Sequence, residues 1–272
     1  MSKVVFAGCS FTAGNGWNPN DFSTSCKDHP DLWTNLCCSQ IDQLKNLEIL
    51  NYGQGAASNA EIFRNTAKAI AEHGSDIKIV FCQWSNMPRY TFDIGFELWT
   101  TSEGIHPGMR GKKDVNLNRG DKWSRKYIDD LLDRLLVLHH LHGEIIKVVE
   151  FCNILQKLAQ QFNIKLYFIN GLCVWDQNYF IRLSGVLPEQ FTPFTKKEIL
   201  NIETRDDEDI FKLYKIMHDD YDRAGGINLS QWVNLYNSMK QNILDTNYDN
   251  RHPGIKSNQL YAQQIKNFLE TQ

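Results

Sequence analysis

Four short apolar runs, residues Lys3–Ala7, 47–51, 77–82 and Lys165–Asn170, each end in small or polar residues. Runs of that length read as strands buried on both faces. Between and after them, apolar positions recur at three- and four-residue spacing over residues 31–44, 58–72, 143–162 and 257–269, which predicts amphipathic helices. Strand followed by helix, repeated, predicts an α/β fold with a central parallel sheet. The alternation breaks twice. Residues 88–125 are rich in Gly, Trp and charge without periodicity, and residues 175–232 combine a loop containing Pro188 and Pro193 with a charged helical stretch near residues 196–221. Both are read as insertions into one domain spanning residues 1–272.

Composition narrows the function classes. A chain of 272 residues with 42% hydrophobic residues has enough apolar material for one large core. Its net charge of -3, with no dense Lys/Arg block, argues against a nucleic-acid partner. No segment approaches the roughly 18 consecutive apolar residues of a membrane-spanning helix, so no membrane partner is expected. The opening stretch is too short for a signal-peptide core and runs directly into a candidate motif. Seven scattered cysteines (Cys9, Cys26, Cys37, Cys38, Cys82, Cys152, Cys173) lack paired metal-ligand spacing. Reduced thiols and a cytoplasmic or virion-associated location are the expectation.

In open parallel sheets the loops leaving the carboxyl ends of the strands share one rim, where ligands bind. Gly8-Cys9-Ser10-Phe11-Thr12 follows the first predicted strand, Gly53-Gln54-Gly55-Ala56 the second, and Gln83 to Asn86 the third. Asp249-Asn250-Arg251-His252-Pro253 precedes the last predicted helix. A serine hydroxyl becomes a competent nucleophile when a histidine takes its proton and a carboxylate orients the imidazole. The two outer motifs hold all three residue types.

These blocks, in this order, resemble those of the SGNH/GDSL hydrolase superfamily. The resemblance implies a flavodoxin-like three-layer α/β/α sandwich and a serine hydrolase needing no cofactor. Gly8-Cys9-Ser10 matches the family's G-D-S block with cysteine at the middle position, which gives Ser10 the nucleophile role by resemblance. The second block, N-x-x-x-x-G, counted from Asn51, places its oxyanion-binding backbone N–H at Ala56, with Gly55 one residue early. The third block, G-x-N-D, aligns Asn86 as a further oxyanion donor but lacks its glycine and aspartate. The D-x-x-H block is matched by Asp249 and His252, so the implied catalytic set is Ser10, His252 and Asp249, with Ser10, Ala56 or Gly55, and Asn86 around the oxyanion.

Each signal has a structural alternative. Ser10 could cap a strand-to-helix turn, and Asp249 with His252 could form a surface turn beside Pro253. Cys9 is expected to fill a small buried site. His139 and His142, three residues apart with His140 between them, share a helix face without a third ligand class, so no metal is expected, and the acidic runs Asp206-Asp207-Glu208-Asp209 and Asp219-Asp220-Asp222 read as solvated helix ends. Trp17, Trp33, Trp84, Trp99 and Trp123, set among polar residues, suit either stacking on a sugar or core packing. The functional expectation is a serine esterase that removes a small acyl group, most plausibly acetyl, from a carbohydrate or other polar ester. A scaffold without catalysis that binds a partner, or an acyltransferase, are the alternatives.

Overall fold

The computed structural model describes residues 1–85, 91–94, 97–100, 141–172, 232–235, 238–239 and 243–272. β1 (Lys3–Ala7) leads through a four-residue helix α1 (Ser10–Ala13) to α2 (Trp33–Gln40), β2 (Glu48–Asn51), α3 (Asn59–His73) and β3 (Ile77–Trp84). A hairpin of β4 (Thr91–Ile94) and β5 (Glu97–Thr100) follows, then α4 (Leu141–Gln161), β6 (Lys165–Asn170), β7 (Trp232–Asn234) and α5 (Ile255–Glu270). Five strands form one sheet in the order β2-β1-β3-β6-β7, and every pairing in it is parallel. The order reverses between β1 and β3, the kind of switch point at which ligands bind, outside the carboxyl ends of the strands, in open α/β sheets.

Strand side chains alternate between two faces, and each face has its own helix layer. Val4, Phe6, Ile79, Phe81, Tyr167 and Ile169 pack with Trp33, Leu36 and Cys37 of α2 and with Tyr261, Ile265 and Leu269 of α5. Val5, Val80, Cys82, Trp84, Leu166 and Phe168 pack with Ile62, Ala69 and Ile70 of α3 and with Cys152, Leu155 and Ala159 of α4. Phe6, Phe81, Phe168 and Ile62 are completely buried, each contributing about 1.5–3 kcal/mol. An exposed pair such as Lys68–Glu72 contributes at most about 1 kcal/mol. The apolar faces, not surface charge, hold the layers together.

Some predicted bounds shift for physical reasons. β3 runs two residues past the apolar stretch, because Gln83 and Trp84 continue the ladder opposite Ile169 and Asn170; a polar residue buried inside a strand interrupts the apolar pattern without ending the pairing. β7, only three residues long, is too short to show a period and falls where the second insertion was expected to end. β4 and β5 lie within the first predicted insertion and pair antiparallel. The remainder of both insertions, Asn86, Cys173, His139, His140 and the two acidic runs lie outside the described residues. No described helix is long and apolar enough to cross a membrane.

Candidate active site

The chain leaving β1 turns sharply. Ser10 is the first residue of α1, the cap position belongs to Cys9, and the Cys9 side chain makes no capping bond. Ser10 is therefore not the cap that a plain strand-to-helix turn would need. Its backbone N–H lies in the first turn, where no acceptor exists inside the helix. Ser10 is 6% exposed, and Cys9 beneath it is completely buried. The turn rests on polar contacts as well as apolar ones: Thr12 Oγ1 donates to Gln83 Oε1, and Gln83 Nε2 reaches Cys9 Sγ at 3.6 Å. A Cβ on Gly8 would stand 2.2 Å from Thr12 Oγ1 and 2.8 Å from Gln83 Oε1, so only glycine leaves room for this junction.

The second loop is knitted to the first. Asn51 at the end of β2 donates from Nδ2 to the Thr12 carbonyl at 2.8 Å and accepts the Gly53 N–H at 2.8 Å. Gln54 N–H donates to the Gly8 carbonyl at 3.0 Å. A Cβ on Gly53 would come within 2.5 Å of the Ala13 nitrogen, which measures how closely the two backbones approach. Beyond it, Ala56 adopts φ 60°, the left-handed conformation that favours glycine. Gly55 is not among the positive-φ residues. The glycine-demanding position of the loop is thus Ala56, the register that counting from Asn51 selects. At the third loop, Ser85 N–H donates to Asn59 Oδ1 at 2.8 Å, which ties the end of β3 to the first turn of α3.

The fourth element is the loop before α5. Asp249 Oδ1 accepts the N–H groups of Arg251 and His252, both at 2.9 Å, while Oδ2 lies 2.5 Å from His252 Nδ1. A proton on Nδ1 directed at the carboxylate leaves Nε2 with its lone pair free to accept. The Asp249 side chain is 7% exposed and that of His252 is 20% exposed. Burial alone raises the Asp249 pKa; the hydrogen bonds from His252 and Arg251 and the charge of His252 outweigh it, and the carboxyl is held below its ordinary value. This loop meets the β1 loop at two points. The Phe11 ring stands 5.6 Å from the His252 ring in an edge-on arrangement, and Gly16, at φ 85°, is so close to Asp249 that a Cβ there would lie 2.9 Å from the carboxylate. Phe11, next to Ser10, thus lies against His252, and Gly16, farther along the same segment, lies against Asp249.

The chain is similar in structure to the psychrotrophic esterase EstA from Pseudoalteromonas sp. inhibited by monoethylphosphonate, at 10% identity and a TM-score of 0.45, covering 100% of this chain and 98% of that one. It is similar to a carbohydrate acetylesterase from Sinorhizobium meliloti at 12% identity and a TM-score of 0.46, covering 100% and 99%. A member of the lipolytic protein G-D-S-L family from Veillonella parvula DSM 2008 aligns at 13% identity and a TM-score of 0.40, covering 97% and 96%. No family model matches the chain, and no curated protein matches it.

Three of the five tryptophans singled out for stacking are core residues. Trp33 and Trp84 are completely buried, and Trp17 is 7% exposed with its ring 3.9 Å from that of His29. Their large apolar area is worth more inside the layers than at the rim. Among the described residues no group of three or more His, Cys, Asp or Glu is placed to hold a metal ion. Sequence reading assigned Thr12 and Gln83 no role beyond their places in the first and third blocks, and did not single out Gly16 or Asp245, a second carboxylate beside the fourth loop. A glycine at position 16, in the run Gly14-Asn15-Gly16, was the one signal available for any of them; the others carry none locally.

Proposed function

We propose that the protein is a serine esterase of SGNH type, with Ser10 as nucleophile, His252 as general base and acid, and Asp249 as orienter. The observation that carries this reading is the 2.5 Å bond from His252 Nδ1 to a nearly buried carboxylate, on a loop packed against Phe11, the residue after Ser10, and against Gly16 farther along. A mere surface turn would need only the two backbone bonds to Asp249; it has no use for a buried carboxylate aimed at the ring.

In the proposed reaction His252 Nε2 takes the proton of Ser10 Oγ as the oxygen attacks the ester carbonyl. The resulting imidazolium is stabilised by Asp249 and returns its proton to the leaving alcohol. Water then attacks the acyl carbon as it gives a proton to the same nitrogen, and His252 returns that proton to Ser10 Oγ as the acyl carbon–Oγ bond breaks, releasing the acid and free serine. The N–H groups of Ser10 and Ala56, with the Asn86 amide, are assigned to the oxyanion, where removal of one donor costs about 10²- to 10³-fold in turnover. The scant exposure of Ser10 favours a small acyl group such as acetyl, on a carbohydrate or another polar alcohol.

The test is activity-based labelling with a fluorophosphonate, together with hydrolysis of p-nitrophenyl acetate and of acetylated oligosaccharides. Labelling at Ser10 and turnover abolished in Ser10→Ala support the reading. Equal background hydrolysis by wild type and Ser10→Ala, with no label bound, rules it out.

A further inference from the structure

We infer that Asp245 is a positioning residue for His252: it caps helix α5 from outside the helix and, in doing so, closes the loop that carries Asp249 and His252. This rests on the reading of His252 as the base.

The cap position of α5 is Gly254, which has no side chain to cap with. An ordinary cap residue would accept the N–H groups of the second and third helical residues. Here Asp245 does so from nine residues upstream: Oδ2 accepts the N–H of Lys256 at 2.9 Å and Oδ1 that of Ser257 at 2.8 Å. A Cβ on Gly254 would stand 2.7 Å from this carboxylate, so the cap position is glycine because the remote carboxylate occupies the space of its missing side chain. Ser257 completes the lock. Its hydroxyl accepts the N–H of Leu244 and of Asp245, each at 3.1 Å, and donates to Asp245 at 2.8 Å. Gly254 N–H returns to the Asp245 carbonyl at 3.0 Å.

Inside this closure the chain has few options. Thr246 bridges to Pro253, and Asn247 N–H donates to the His252 carbonyl at 2.8 Å. Asn258, completely buried, donates to the carbonyls of Pro253 and Gly254 and accepts the Trp33 N–H at 2.9 Å. The far end of the loop is thereby fixed to the core, and Asp245 fixes the near end. A catalytic base displaced by about 1 Å costs roughly 10²-fold in rate, so the tether matters to catalysis beyond its share in helix stability.

The two roles separate in a pair of variants. Asp245→Ala removes the cap and the carboxylate tie together; Asp245→Ala with Gly254→Ser supplies a local cap without restoring the carboxylate tie, the backbone bonds across the loop remaining in both. Three readouts are taken on each: Tm, kcat and KM for p-nitrophenyl acetate, and the His252 ring resonances by NMR, assigned against His252→Asn. The expected result is that Asp245→Ala lowers Tm and kcat, and that the double variant regains Tm while kcat stays roughly 10- to 100-fold low, KM is little changed and the His252 resonances remain shifted. Recovery of kcat and of the wild-type resonances along with Tm in the double variant overturns the inference, as does an Asp245→Ala protein with unperturbed resonances. The ring resonances need no substrate. A wild-type protein without esterase activity therefore refutes the esterase reading, while the resonances still decide whether Asp245 sets the pose of His252.

Discussion

At residue scale, Ala56 and Gly16 carry opposite mismatches between backbone and side chain. Ala56 holds φ 60° with a methyl group, a conformation that costs an L residue about 1–2 kcal/mol. Part of that is offset because glycine has more freedom to lose on folding. Ala56→Gly should leave the protein equally stable or raise its stability by up to about 1 kcal/mol, read as the midpoint shift in urea unfolding. Gly16 has the reverse constraint: φ 85° and a neighbouring carboxylate at 2.9 Å both forbid a Cβ. Gly16→Ala should push Asp249 off His252 and lower kcat about 10- to 100-fold, with KM nearly unchanged, measured by steady-state kinetics. A variant with wild-type kcat would show that the Asp249 carboxylate is not held by this contact.

At the scale of elements, the loop 245–257 joins a strand-like bridge to a helix start through two ionised carboxyls. For Asp245, as for Asp249, burial opposes ionisation, yet hydrogen bonds win; those from Lys256 and Ser257, with the charge of Lys256, hold its pKa below the ordinary 3.8. A carboxyl depressed in the folded state binds its proton more readily when unfolded, so stability rises with pH between the two values. The contribution is complete above the ordinary carboxyl range and is lost as pH falls below 3.8 through the depressed folded value. Thermal unfolding of Asp245→Asn against wild type should therefore show a Tm difference at neutral pH that shrinks as the solution is acidified below pH 3.8. A difference independent of pH would mean that the charge on Asp245 contributes nothing. Helix α3 offers the contrast, since its cap is local: Ser58 and Glu61 bond reciprocally across the first turn, and the S-x-x-E spacing shows it in the sequence.

On the scale of the whole molecule, the sheet separates two apolar cores, and Cys9, Cys37, Cys38, Cys82 and Cys152 lie in them. Cys82 is pushed up to about 12 by burial, Cys38 likewise to about 12, and Cys37 and Cys152 are raised well above the usual thiol range by burial and by a neighbouring thiol. A thiol must ionise and be reached before it reacts. Among the described cysteines, Cys26 alone is not buried. Brief treatment of native protein with a thiol reagent, followed by peptide mapping, should modify Cys26 and spare Cys9, Cys37, Cys38, Cys82 and Cys152 until denaturant is added. Modification of Cys82 at the native-state rate of Cys26 would show that the core beneath β3 opens readily.

The chain by itself determined the strand-helix alternation, the four loops at strand and helix ends, and the three-residue step from Asp249 to His252, because each depends only on neighbours along the backbone. Only the tertiary structure decided that Gln83 lies against Thr12, that Gly16 covers Asp249, that Trp17, Trp33 and Trp84 belong to the interior, and that Asp245 fills the space above Gly254. Such pairings are set by sheet order, register and the way loops cross the rim. A carboxylate that caps a helix from nine residues away leaves no period or spacing in the sequence, since its partner is a glycine whose only contribution is the room it leaves.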